Sequence, residues 1–196
     1  MFRIKDRLFI VDSALLFAEI RELSEARAMW GPRNEGIAWF LEVKTKENKT
    51  GENDGWEPCA ECICPFPRVP WQEIEGQVLE WRDSWDEGMA NERSTMYLFE
   101  HGSIKNCRLE FAERREAEFS LLWQGLCDLF WDEDYSDNLD FQIEARVQFI
   151  GIAVYEKEPS TSQQMLSRFQ NLSDFTQESI PTYAPESTTQ FRPKVD

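Results

Sequence analysis

Apolar and polar residues alternate through much of the second half of the chain. From Ile104 to Ala112, Cys107, Leu109 and Phe111 alternate with Arg108 and Glu110. Between Ala117 and Leu126 the residues Ala117, Phe119, Leu121 and Trp123 do the same, and Phe141 to Tyr155 places Phe141, Ile143, Ala145, Val147 and Phe149 on one face. A period of two marks half-buried antiparallel strands. Near Ile150-Gly151-Ile152 the parity changes, and a glycine there accommodates a bulge. Thr95 to Glu100, turning at His101-Gly102, adds a strand before these, so the second half reads as a β-meander of sequential neighbours.

The first half is less uniform. Asp12-Ser13 fits the N-cap of a helix over Ala14 to Met29, with Leu16, Ile20 and Leu23 at helical spacing; a β-reading running on from Phe2 through Phe17 competes with it. Ile37 to Val43 reads as a strand. Pro58 to Pro70 reads as extended, and Pro65, Pro67 and Pro70, which lack backbone donors, confine it to a sheet edge or surface arm. Trp71 to Trp85 fits a helix through Trp71, Ile74, Val78 and Trp81. These elements predict an α+β fold: an antiparallel β-meander sheet packed by one or two helices over residues 1–156. Residues 157–196 read as a polar linker, a short amphipathic helix over Met165 to Phe175, and a Ser/Thr/Pro-rich C-terminal tail.

Composition narrows the function. With 41% apolar residues the chain carries enough for a core, while a formal charge of −16 and a pI near 4.5 set it against nucleic acid and anionic membranes. No run approaches the roughly 20 apolar residues of a spanning helix, and Met1 to Phe17 lacks the apolar stretch of a signal peptide, so a cytoplasmic location is expected. Five cysteines, an odd count, fit reduced thiols.

Catalytic signatures are weak. His101 is the one histidine, which leaves a His-dependent triad hard to assemble, and Gly-rich phosphate loops are absent. Read as a calcium loop from Asp132, the chain has Asp137 in place of glycine and Ile143 in place of the twelfth-position Glu. Cys59-x-x-Cys62-x-Cys64 has the spacing of a partial zinc site, but there is no second pair; small residues filling a sheet-edge core explain it equally well. Neither an enzyme, a metal ligand nor a cofactor is expected.

What remains is recognition. Between Glu116 and Ala145 stand nine carboxylates and no Lys or Arg, interleaved with aromatic residues. The densest part, Asp132 to Asn138, reads as an exposed loop whose Asp132, Glu133, Asp134 and Asp137 provide charge, with Trp131 and Tyr135 as apolar anchors. The segments Leu122 to Tyr135 and Val147 to Tyr155 resemble those of bacterial immunity proteins that neutralise toxins delivered by contact-dependent or type VI secretion. That resemblance implies a small, cytosolic, acidic α+β domain that blocks the active cleft of a cognate basic toxin, and it transfers no functional residue. The expected function is therefore non-enzymatic inhibition of a cationic toxin, with an acidic nucleic-acid mimic or a zinc-stabilised adaptor as the rival readings.

Overall fold

One strand organises the molecule. β12 (Asp134–Val154), 21 residues long, borders four other strands, and the sequence alternation set out above keeps its inward face apolar. The computed structural model describes residues 1–47, 55–88, 91–131, 134–178 and 188–195, without the side chains of residues 130, 131, 134 and 135. Ahead of β12 come β1 (Phe2–Ile4), β2 (Arg7–Phe9), β3 (Val11–Ile20), α1 (Leu23–Trp30), β4 (Ile37–Thr45) and β5 (Cys59–Cys64). They are followed by β6 (Val78–Trp81), β7 (Trp85–Asp86), β8 (Asn91–Glu92), β9 (Ser94–Tyr97), β10 (His101–Arg115) and β11 (Glu118–Trp131). Beyond β12 lie α2 (Pro159–Ser167), β13 (Phe175–Glu178) and β14 (Thr189–Pro193).

The described residues are mostly sheet, with two helices among them and a mixed, mostly antiparallel strand arrangement. β12 runs antiparallel to β11, β1 and β14, and its last residues, from Gln148, run parallel to β3. From β3 the neighbours continue through β4, β5, β9 and β10 to β11, which pairs again with β12. The sheet therefore rolls round on itself, and its concave face supplies its own core. Leu16, Leu41, Met96, Leu109, Trp123 and Ile143 all point into that core and are essentially inaccessible.

A register shift falls between Phe149 and Gly151, where Gly151 has φ 124°. Before it Val147 and Phe149 are buried, after it Ile152 and Val154, so the bulge moves the inward face by one residue. β14 lies so close that a Cβ on Gly151 would overlap the Phe191 carbonyl oxygen.

Two expected helices are strands instead. Val11–Ile20 is β3, with Ala14, Leu16, Ala18 and Ile20 buried in strict alternation; the helix begins only at Leu23. Leu16 and Ile20 satisfy both periods, and tertiary pairing on both edges decides for the strand. Trp71–Ile74 is a single 3-10 turn, followed by β6 on β10. Cys59–Cys64 is also no edge: β5 pairs with β4 on one side and β9 on the other, and the prolines lie beyond its end. In the C-terminal region the helix sits at Pro159–Ser167, earlier than the expected Met165 to Phe175, and β14 joins β12. Buried Gln170 ties this region to the body, accepting from the Trp71 backbone N–H at 2.9 Å and donating to the Val69 carbonyl at 3.0 Å. No described helix is long and apolar enough to cross a membrane.

All five cysteines are free, and four are buried. Burial pushes the Cys107 and Cys127 thiols up to about 12, so the folded form keeps protons that the unfolded chain releases near pH 9. Stability from these groups is complete below pH 9 and is lost as pH rises toward 12, at roughly 3 kcal/mol per pH unit for the pair. A Cys107→Ala/Cys127→Ala protein should show a visibly shallower alkaline unfolding slope by circular dichroism.

Candidate functional site

Strand alternation that fills the core also dictates the outer face. On β3, β4, β5 and β9 the outward positions form three rows. Phe17, Phe40 and Ile63 are register partners in the first; Leu15, Glu42, Glu61 and Thr95 make the second; Ser13, Lys44, Cys59 and Tyr97 make the third. α1 covers the face beyond the first row, packing Ala26 and Trp30 on Ala38 and, at its margin, Phe40 and Ile63. Beside the helix a groove of about 260 Å³ is left open.

Its floor is aromatic: Phe17 and Phe40 stack with centroids 5.2 Å apart, and Trp30 meets Phe40 edge-on at 6.2 Å. Its rim is acidic, with Glu42, Glu61 and Glu92 set against Arg93. Glu42 and Glu61 are directly opposite across β4 and β5, an arrangement that costs up to about 1 kcal/mol through like-charge repulsion. Lys44 relieves Glu42 at 2.9 Å. Glu61 receives only a long contact from the Cys59 thiol, 3.7 Å, and Glu92 accepts from the Ser103 hydroxyl at 3.2 Å. Among the described residues neither Glu61 nor Glu92 forms an ion pair: Arg93 is engaged by Asp86, and Lys44, bonded to Glu42, attracts Glu61 only at longer range.

Glu42, Cys59 and Glu61 also bring three metal-ligating atoms within 4.8 Å of one another. A thiol binds metal as thiolate, and here burial and the two nearby glutamates push Cys59 up to about 12. Cys62 and Cys64 face the core, with their sulfurs 3.5 Å apart, so the Cys-x-x-Cys-x-Cys motif is divided between the two faces of one strand. Alkylation of Cys59 at pH 8 should accordingly be at least about tenfold slower than that of a free cysteine peptide, although the residue is half-exposed; intact-mass kinetics would measure it.

The acidic run read from the sequence is placed differently. β11 and β12 continue their ladder out to Phe130 opposite Tyr135 and Trp131 opposite Asp134, so Asp134, Tyr135 and Asp137 belong to a hairpin strand, not to a loop over 132–138. Paired backbone satisfies donors and acceptors that a loop would leave to water, which favours extension of the hairpin. Asp137 is exposed on it. Asp132 and Glu133, and the side chains of Trp131, Asp134 and Tyr135, lie outside the described residues.

One carboxylate of the run turns inward. Asp128 is buried, accepting from Lys105 Nζ at 2.6 Å and from the Asn138 backbone N–H at 2.7 Å, where Asn138 has φ 58°. Replacing Lys105 by Met strands that charge and should cost about 2 kcal/mol in urea unfolding, with part recovered by adding Asp128→Asn.

The groove is hidden in the sequence because Phe17 falls in a segment that also fits a helix and Ile63 in one whose prolines suggest an edge, while Phe40 lies in a strand between them. The available signal was Phe40-x-Glu42-x-Lys44 beside Cys59-x-Glu61-x-Ile63, outward positions of two central strands. No protein-family model, curated protein or solved structure matches the chain.

Proposed function

We propose that this protein is a non-enzymatic inhibitor that binds a basic protein, in the manner of an immunity protein closing the cleft of a cationic toxin in the cytoplasm. One observation carries the reading: Glu61 stands opposite Glu42 over an aromatic floor, without an ion pair of its own among the described residues. An arginine or lysine from a partner would complete the site. Its head would bridge Glu61 and Glu92, and its methylene stem would cover Phe17, Phe40 and Ile63. The acidic stretch of the sequence with Trp131, Asp132, Glu133, Asp134, Tyr135 and Asp137 would add negative potential that steers encounter and offer a second contact.

A net charge of −16 supports the same sign of partner. So does the rim of the groove, which carries Glu42, Glu61 and Glu92. The test uses the whole chain as bait in a lysate of the native organism, followed by affinity measurement with the purified partner. A basic partner is expected, with affinity falling by about tenfold or more between low and high salt. An acidic partner, or salt-independent binding, contradicts the proposal.

A further inference from the structure

A second pocket has the opposite character. It lies where the end of β3, the turn before β4, the extended segment after β5 and the end of α2 meet, and it encloses about 170 Å³. Three of its lining residues are arginines, Arg21, Arg68 and Arg168, against a single carboxylate, Glu35. In a chain with 37 acidic and 21 basic residues, such a concentration of guanidinium groups runs against the overall balance.

Several cations of the protein are paired with carboxylates, as Arg93, Arg108, Arg115 and Arg192 are. Arg68 and Arg168 form no ion pair among the described residues. Arg21 is largely buried and its guanidinium is engaged elsewhere, reaching Glu19 at 3.3 Å and lying over the Tyr155 ring at 3.2 Å.

The walls are apolar. Ile20, Leu23, Met165 and Phe169 line them, and Arg68 sits 4.9 Å over the Phe169 ring. Backbone contacts hold the arrangement together: Arg21 N–H donates to the Gly36 carbonyl at 3.0 Å, and Gly36 packs so tightly on Phe169 that a Cβ would touch its ring at 3.4 Å. The Gln170 clip to Val69 and Trp71 fixes the α2 end relative to the Arg68 segment.

We infer that this pocket binds the oxyanion of a small organic molecule, the anion held by Arg68 and Arg168 and its apolar body lying on Leu23 and Phe169. Planar guanidinium groups suit phosphate and carboxylate oxygens by paired hydrogen bonds. The inference stands independently of the acidic groove, which lies on another part of the surface.

Calorimetric titration of the full chain with phenyl phosphate and with inorganic phosphate, at constant ionic strength, tests it. One-to-one binding is expected, tighter for phenyl phosphate. Arg68→Gln and Arg168→Gln are exposed substitutions that leave the fold intact, and each should weaken binding about tenfold. An unchanged melting temperature without ligand verifies that the variants are folded. Absence of saturable binding by the wild type, or variants that bind as tightly as it does, overturns the site. Equal affinity for the two ligands overturns the role of the apolar walls.

Discussion

Gly102→Ala is expected to destabilise the protein by about 3–5 kcal/mol, among the largest effects of any single methyl group in the chain. Gly102 is buried at the start of β10, opposite Met96 of β9. A Cβ there would overlap the Asp128 carbonyl oxygen and stand 2.9 Å from Leu129 Cδ2 and 3.0 Å from the Asp128 carbonyl carbon. Backbone on β11 cannot move aside cheaply. Asp128 sits at the register break between Cys127 and Leu129, held by Lys105 and by the Asn138 N–H. A displacement there would loosen the β9, β10 and β11 junction through which the sheet closes. Thermal unfolding should shift down by about 10 °C. Gly88→Ala is the matched control, because among the described residues its Cβ would approach only the Asp86 side chain, and it should change stability by less than about 0.5 kcal/mol.

The long strands of the second half were legible because alternation there has no rival. Phe119, Leu121 and Trp123, or Phe141, Ile143 and Val147, satisfy a period of two and fail a period of 3.6. The parity change at Gly151 was legible for the same reason, since Phe149 and Ile152 cannot both face inward in an unbroken strand. In β3 the pattern was ambiguous: Leu16, Ile20 and Leu23 fit a helix, and the choice was made by β4 and β12, partners distant in sequence. Trp71 to Trp81 failed likewise, its apolar residues being shared between a 3-10 turn and a strand on β10.

Site residues depend on register, which no local pattern encodes. Glu42 and Glu61 are 19 positions apart and meet only because β4 and β5 pair with those residues opposite. A run of acids such as Asp132 to Asp137 is conspicuous in sequence, whereas two isolated glutamates over Phe17 and Phe40 become conspicuous only after the strands are laid side by side. Arg21, Arg68 and Arg168 come together the same way, from three distant segments that Gln170 and Gly36 lock in place.

Reversing the two unpaired carboxylates of the groove should have the largest effect on binding. Glu61→Lys/Glu92→Lys replaces attraction by repulsion at the position proposed for the partner's cation. Close charge pairs at interfaces couple by about 1.5–7 kcal/mol, and the lower end alone, counted at both positions, gives a loss of about 100-fold. Neither residue has an ion pair to lose among the described residues, and Glu61 is exposed, so stability should change little. The decisive measurement is a titration of the captured basic partner with wild-type and doubly reversed protein at about 0.1 M salt, with melting temperatures recorded in parallel. Binding weakened by about 100-fold in a protein that melts normally is the predicted result. Affinity within about twofold of wild type would contradict a role for the groove in recognition.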